Sequence, residues 1–183
     1  MSDTDILNEM FLPNVRVDMQ DFHGRPGAVL REPTVNSEMT IHCLPEDAII
    51  IKADGFPSPR SFFDGDQRGC CKRADYIIIS EQEKTALFIE MKKTKGDWGN
   101  IVKQLGGAAC LFTYCREIGQ FFWQERDFLR EYKCRFISVG HTSIPKRKMR
   151  TERMATEHDE PQKALKIDWP QYLQYNRLIG KPW

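Results

Sequence analysis

The stretch that decides the fold runs from Asp75 to Lys92 and reads Asp-Tyr-Ile-Ile-Ile-Ser, then Glu-Gln-Glu-Lys, then Thr-Ala-Leu-Phe-Ile-Glu-Met-Lys. Two apolar runs rich in β-branched and aromatic residues flank a polar tetrad, and this pattern is typical of an antiparallel β-hairpin. If residues 81–84 form the loop, Ser80 faces Thr85. The register of the whole hairpin then follows, because side chains alternate between the two faces of a strand.

The predicted register brings two carboxylates together. Counting outward from the loop places Asp75 opposite Glu90, and directly opposed residues share one face of a sheet at about 5 Å. Lys92 points to the same face, whereas Met91 points away. Close carboxylates repel unless a cation lies between them, and oxygen ligands suit Mg²⁺ or Mn²⁺. The hairpin therefore predicts a metal-dependent phosphodiesterase, in which Lys92 orients or activates a water or neutralises charge that develops on a phosphate.

These residues resemble the PD-(D/E)XK nuclease superfamily, whose pattern is an Asp on the second core strand and Glu-x-Lys on the third. The matching positions here are Asp75 and Glu90-Met91-Lys92, and the resemblance covers roughly residues 46–140. It implies an α/β fold with a restriction-endonuclease-like αβββαβ core, in which helices flank a mixed central sheet. Strand candidates at 48–51 and 135–139 suit that order. Position 74 is Ala where the family name has Pro.

The resemblance also implies roles for individual residues. The expected cofactor is Mg²⁺ or Mn²⁺, and a Gln on the helix after the triplet recurs in many members. The implied catalytic residues are Asp75, Glu90, Lys92 and Gln104, and the implied metal ligands are Asp75, Glu90 and the backbone carbonyl of Met91.

A further acidic ligand often comes from the helix before the first core strand. Residues 36–43 are the candidate for that helix, which makes Glu38 the nearest acidic residue and Glu46 its rival. A simpler structural interpretation of the whole pattern stays open. Asp75 and Lys92 would then form an ion pair at a strand end while Glu90 is solvated.

Other elements follow from local pattern. Asp97 is placed to cap a helix from Trp98 to about residue 117, with an apolar stripe at helical spacing and with Gly106-Gly107 marking a close backbone approach. A short helix is expected at 2–12 and irregular chain at 13–35. The remaining expectations are apolar core at 121–129, a long polar excursion at 141–163, a strand at 164–167 and a final helix opened by residues 168–170.

A formal net charge of +1 is low for a protein that holds a polyanion, although basic residues gather near the predicted site. A second basic cluster at 146–150 is interpreted equally well as a solvated loop. The candidate phosphate-contacting residues are Arg73, Lys93, Lys95, Lys103, Lys146, Arg147, Lys148 and Arg150.

Length and composition indicate one domain over residues 1–183, with its core at about 36–140. A content of 40% hydrophobic residues is enough for a sizeable core. The first residues lack the features of a secretion signal, and no apolar run is long enough for a membrane span, so we expect a cytoplasmic protein without a membrane partner. The six cysteines lack zinc-site spacing and are expected to be reduced thiols.

The sequence therefore favours a divalent-metal-dependent nuclease, with DNA endonuclease as the first interpretation and nucleic acid as the partner. Two alternatives stay open. One is an RNase that uses the same site, because spacing does not reveal contacts to a 2′-hydroxyl. The other is a non-catalytic nucleic-acid-binding or regulatory module on the same fold. A homodimer or larger complex is compatible with the resemblance, because many such endonucleases cut duplexes as dimers.

Overall fold

The computed structural model describes residues 1–33, 37–64, 68–92, 97–140, 157–168 and 172–181. Its strands are β1 (Gln20–Asp21), β2 (Pro26–Glu32), β3 (Ser37–His42), β4 (Ile49–Lys52), β5 (Tyr76–Ser80), β6 (Thr85–Lys92), β7 (Lys133–Gly140), β8 (Leu165–Asp168) and β9 (Leu173–Gln174). Its helices are α1 (Asp3–Met10), α2 (Trp98–Phe122) and α3 (Tyr175–Leu178).

The strands form two mixed sheets, so the fold class is α/β. The central sheet has the order β4-β5-β6-β7-β8. Its first three strands are antiparallel neighbours, whereas β6, β7 and β8 run parallel, and α2 makes the crossover from β6 to β7. The second sheet has the order β1-β2-β3-β9, with only the β3–β9 pair parallel.

The central sheet lies between a helical layer and the second sheet. Alternate residues of β5 divide between the two faces: Ile77 and Ile79 pack with α1 and α2, whereas Tyr76 and Ile78 pack with β2, β3 and α3. Nearly every residue of β5 and β6 is buried. This explains why both strands read as continuous apolar runs, since a strand covered on both faces has no solvent side to alternate with.

The predicted hairpin is confirmed. Residues 81–84 form the loop, Ser80 pairs with Thr85, and the register continues to Tyr76 opposite Ile89. The strand candidates at 48–51, 135–139 and 164–167 are also confirmed within one or two residues as β4, β7 and β8.

Two expectations between residues 13 and 43 are wrong. The segment expected to be irregular contains β1 and β2, because Pro26 takes the first position of β2 and therefore does not interrupt its ladder. The segment expected to be a helix is β3, in which Met39 and Ile41 are buried while the residues between them are not. That alternation has the period of a strand, and the hydrogen-bonded partner strand β2 completes the sheet.

Helix α2 begins as predicted, with the Asp97 carboxylate accepting hydrogen bonds from the N–H groups of Gly99 and Asn100. It continues to Phe122, five residues beyond the expected end. Phe121 and Phe122 are exposed rather than core, whereas the neighbouring Phe128 and Leu129 are buried as expected. The predicted stripe of α2 is buried against the sheet: Ile101, Leu105, Ala108, Phe112 and Cys115.

Only some of the remaining predicted segments lie within the described residues. The short N-terminal helix is confirmed as α1, with Ser2 and Asp5 forming a capping box. Most of the excursion at 141–163 and residues 169–170 of the expected final helix lie outside the described residues, and α3 begins only at Tyr175. Within the described ranges, no helix combines the length and the apolar character that crossing a membrane requires.

Candidate active site

The hairpin carries Asp75, Glu90 and Lys92 to one end of the central sheet, on the face that packs with α2. Side chains two residues apart on a strand point to the same face, so Asp75 points to the face of Ile77 and Glu90 to the face of Phe88. The Nζ of Lys92 lies 2.5 Å from Oε1 of Glu90. Glu90 is fully buried, whereas 27% of the Lys92 side chain remains exposed. The end of β6 therefore has one carboxylate inside and one ammonium that reaches solvent.

Asp75 is held against the backbone of the same triplet. Its Oδ2 accepts a hydrogen bond from the N–H of Met91 at 2.5 Å. The N–H and C=O groups of one strand residue point to the same edge of the strand, so the Met91 carbonyl faces the edge where Asp75 lies. The Met91 side chain is buried on the opposite face of the sheet. The structure thus places the Asp75 carboxylate against the backbone of Met91, the residue that follows Glu90.

Burial raises the pKa of both carboxyls well above their usual range. The pKa of Asp75 rises to about 8, and the charge of Glu90 adds to the effect of desolvation. The pKa of Glu90 rises to about 7 through desolvation, although Lys92 acts in the opposite direction. Ionised carboxylates in this position are costly unless a cation compensates them.

Glu90 has unused ligand capacity. Neither of its oxygens makes a hydrogen bond of regular geometry, although both are buried and Lys92 is close. Buried polar atoms without such partners are rare in folded proteins and call for an explanation. The donor set consists of carboxylate and carbonyl oxygens, which fits a hard divalent cation. Among the described residues, no group of three or more His, Cys, Asp or Glu side chains is arranged as a metal site.

Hydrogen-bonded side chains lead from Lys72 through two residues of α2 toward Glu90. The Lys72 ammonium donates to Oδ1 of Asn100, and Nδ2 of Asn100 donates to Oε1 of Gln104 at 3.2 Å. The Gln104 side chain in turn lowers the pKa of Glu90. Gln104 therefore lies at the site, as predicted. Asn100 was missed, although its i, i+4 spacing from Gln104 places it on the same helix face.

Close packing of α2 fixes the segment that leads to Asp75. A Cβ at Gly107 would come 1.7 Å from the carbonyl oxygen of Lys72, so only glycine permits this approach. The neighbouring Gly106 has no atom within 4 Å of its corresponding position. The predicted close approach therefore holds for Gly107 and not for Gly106. The backbone that Gly107 contacts is the segment just before β5.

Glu32, at the end of β2, is an acidic residue that sequence reasoning missed. The Tyr76 hydroxyl binds the backbone of Arg31 through both its N–H and its C=O, which fixes the end of β2 beside the start of β5. Glu32 is buried there, and its charge raises the pKa of both Asp75 and Glu90. Asp54 adds to this acidic environment, because burial and Glu32 raise its pKa as well.

Glu38 does not join these carboxylates, and its expected position was wrong. It lies on β3 opposite Arg31, with which it forms an exposed ion pair at 2.8 Å. Because Glu32 follows Arg31 on β2, the two acidic side chains point to opposite faces of the second sheet. Glu46 is exposed next to the β1–β2 turn, beside Asp21 and Gly24.

Two of the predicted phosphate-contacting residues are described. Lys103 is exposed on α2 and its stem packs on Gly69. Arg73 is half-buried: its guanidinium donates to the Cys71 carbonyl at 3.3 Å and lies over the Phe56 ring, so it is engaged within the protein. Burial lowers its pKa. The others lie outside the described residues: Lys93, Lys95, Lys146, Arg147, Lys148 and Arg150.

Two small residues on β7 lie beside the part of β6 that carries Glu90 and Lys92. Ser138 pairs with Glu90 and Gly140 pairs with Lys92 in the parallel register. A Cβ at Gly140 would come 2.9 Å from the Lys92 carbonyl oxygen. Larger side chains at these positions would fill the end of the sheet where the charged groups converge.

Comparison of this chain with models of known protein families, with curated proteins and with solved structures gave no match.

Proposed function

We propose that this protein is a divalent-metal-dependent nuclease that hydrolyses phosphodiester bonds, with DNA as its substrate and internal cleavage as its mode. The observation that carries the proposal is the buried pair Asp75 and Glu90. Their carboxylates crowd one end of the sheet, the Glu90 oxygens lack regular hydrogen bonds, and Lys92 lies against them. A cation with oxygen ligands would offset the repulsion between the carboxylates and would occupy the free Glu90 oxygens.

The order of elements supports the resemblance to the PD-(D/E)XK superfamily. Strands β4, β5 and β6 are followed by helix α2 and then by β7, which pairs parallel to β6. This βββαβ order agrees with the later part of the core that the resemblance implies. The preceding helix differs, because β3 occupies residues 37–42 and the helical layer is completed by α1 instead.

The chain's own residues have distinct roles in this proposal. Asp75, Glu90 and the Met91 carbonyl would hold Mg²⁺ or Mn²⁺. When bound, the ion supplies positive charge that stabilises the phosphate during attack and lowers the pKa of water. Gln104 orients the Glu90 carboxylate. Water adds to phosphorus as one P–O ester bond breaks; the attacking water loses a proton to solvent, and the leaving oxygen takes up a proton. The Lys92 ammonium is a proton donor within the site and reaches solvent.

The experiment is cleavage of supercoiled plasmid and of single-stranded RNA by purified protein, with Mg²⁺, with Mn²⁺ or with chelator. The test variant is Lys92→Ala. The matched control is Lys84→Ala at the opposite end of the same hairpin, where the half-exposed Lys84 ammonium pairs with the buried Asp3 carboxylate. We expect metal-dependent plasmid cleavage that is lost in Lys92→Ala and kept in Lys84→Ala.

Cleavage that persists in chelator, or that survives Lys92→Ala, contradicts the proposal. Cleavage of RNA alone would retain the site and change the substrate. If neither nucleic acid is cut and calorimetry detects no metal binding, the nuclease is rejected in favour of a non-catalytic binding module.

A further inference from the structure

An exposed aromatic pair lies on the loop that joins β4 to β5. Because β4 and β5 are antiparallel and Asp75 directly precedes β5, this loop leaves and re-enters the sheet at the end that carries the carboxylates. Phe62 is 84% exposed and Phe63 is 52% exposed. Their rings meet edge to face, with centroids 5.0 Å apart. Two large apolar rings that are open to water, on the loop that leads to Asp75, indicate a contact surface.

The backbone under these rings is held in place. The N–H groups of Phe62 and Phe63 both donate to the Pro59 carbonyl, at 2.9 and 2.8 Å, which closes the 3₁₀ turn Pro59–Ser61. The Phe63 carbonyl accepts a weak hydrogen bond from the Cys71 thiol at 3.9 Å. Cys71 belongs to the segment that leads into Asp75. The aromatic pair is therefore tied to the same backbone that positions the catalytic carboxylate.

Positive charges follow the aromatic pair along the chain toward the site. Arg68, Lys72 and Lys103 gather around Gly69: the Lys72 N–H donates to the Gly69 carbonyl, and the Lys103 stem packs on Gly69. Within the described residues none of these three cations has an acidic partner. The Lys72 ammonium donates to the Asn100 side chain, which donates to Gln104, and the Gln104 side chain lowers the pKa of Glu90. Cations without counter-charges complement the phosphates of a nucleic acid.

We propose that Phe62 and Phe63 stack on unpaired bases, so that the preferred substrate is a strand that is single-stranded beside the bond to be cut. Bases within a duplex are stacked on each other and do not offer their faces to a side chain, whereas every unpaired base does. Cations along the path to the carboxylates then contact the backbone of the same strand. This inference rests on the proposed nuclease function, because it names the substrate class of that site.

The chain supplies a matched control pair. Phe121 and Phe122 at the far end of α2 are 76% and 71% exposed, and their ring centroids are 5.1 Å apart. They resemble Phe62 and Phe63 in exposure and mutual contact but lie at the end of α2 farthest from Asn100 and Gln104. The double variants are Phe62→Ala with Phe63→Ala, and Phe121→Ala with Phe122→Ala.

The test measures binding of a labelled single-stranded DNA oligonucleotide and of the matching blunt duplex by fluorescence anisotropy, in chelator so that nothing is cut. We expect the loop variant to bind the single strand about tenfold more weakly or worse, with little change for the duplex. The control variant should bind both as the parent does. Phe62→Trp should keep the affinity and Phe62→Leu should lose it, because leucine keeps apolar area but has no aromatic face.

Equal weakening for single strand and duplex, or no weakening of either, overturns the stacking proposal. Unchanged binding of both would leave the aromatic pair as a contact for another protein. The stacking proposal and the nuclease proposal can be contradicted independently of each other. If Phe62 and Phe63 control binding while metal produces no cleavage, the nuclease is wrong and the single-strand contact stands. If Lys92-dependent cleavage occurs with unchanged binding in the loop variant, only the stacking is wrong.

Discussion

The two ends of the β5–β6 hairpin differ in the hydrogen bonds and opposite charges that they provide to buried and half-buried carboxylates. At the loop end, Asp47 accepts hydrogen bonds from the Ser80 hydroxyl at 2.9 Å and from the Gln82 N–H at 2.7 Å. Asp3, also at this end, receives the Lys84 ammonium and the Tyr132 hydroxyl. Each of these carboxylates has neutral donors or an opposite charge at regular distances.

At the other end, Asp75 and Glu90 share one ammonium, and the Glu90 oxygens lack regular hydrogen bonds. The same two strands thus carry one end built for stability and one end whose cost in stability is consistent with a binding function. Changes that are chemically alike should therefore have opposite effects at the two ends.

The largest contrast is expected from removing a negative charge at each end. Glu90→Gln should lower cleavage by at least about a hundredfold, because a metal ligand is lost, while the midpoint of thermal unfolding in chelator rises. Asp47→Asn should leave cleavage near the parental rate. Plasmid nicking and thermal unfolding of both variants measure this contrast, and it disappears if Glu90→Gln cleaves normally.

The next contrast lies within α2, between adjacent glycines. Gly107→Ala should lower the free energy of unfolding by about 1–3 kcal/mol, because its Cβ would overlap the Lys72 carbonyl oxygen. Gly106→Ala should raise it by about 0.5–1 kcal/mol, since the position is open and alanine is the better helix former. Urea unfolding measures both. A Gly107→Ala variant as stable as the parent would contradict the close packing.

Breaking the loop end should have a somewhat smaller effect. Asp47→Ala removes the acceptor of the buried Ser80 O–H, although the Ser80 oxygen still accepts from the Glu83 N–H. A buried donor left without an acceptor costs about 1–3 kcal/mol, part of which water at this half-buried site restores. Asp75→Asn should leave stability in chelator unchanged or higher, because the amide oxygen still accepts the Met91 N–H while the buried charge is gone. Loss of stability in Asp75→Asn comparable to that in Asp47→Ala would remove the distinction between the two ends.

The pH dependence of stability should be the smallest effect. Folding raises the pKa of Asp75 and Glu90, so between about pH 4 and pH 8 the folded protein binds more protons than the unfolded chain. Stability contributed by these groups is therefore greatest at low pH and falls as pH rises through that window. Thermal unfolding in chelator should show this decline, and Glu90→Gln should flatten it. A rise in stability over the same window, carried by these two residues, would contradict their burial.

Sequence reasoning reached the centre of the site because local rules determine it. A four-residue loop and strand alternation are enough to oppose Asp75 and Glu90, and helical spacing after the Asp97 cap carries Gln104 to them. Asn100 was accessible by the same spacing. Met39 and Ile41 show the two-residue period of a strand, so the wrong helix at 36–43 came from expecting the superfamily's order of elements.

Glu32 was beyond sequence reasoning for a physical reason. It reaches the carboxylates through the contact between Arg31 and the Tyr76 hydroxyl, two residues 45 positions apart in different sheets. No local periodicity encodes such a tertiary hydrogen bond. The choice of Glu38 instead followed from sequence proximity, which cannot determine which face of an undetected strand a side chain takes.

The Lys72 side chain is linked through Asn100 to Gln104, which lies next to Glu90. In the proposed nuclease, this link would couple the binding of nucleic acid to the binding of Mg²⁺. A phosphate that draws Lys72 away from Asn100 frees the Asn100 carbonyl, and through Gln104 this alters the environment of Glu90. Any factor by which nucleic acid changes the affinity for Mg²⁺ must equal the factor by which Mg²⁺ changes the affinity for nucleic acid. Helix α2 would then act as a thermodynamic coupler between substrate and metal, in addition to covering the sheet.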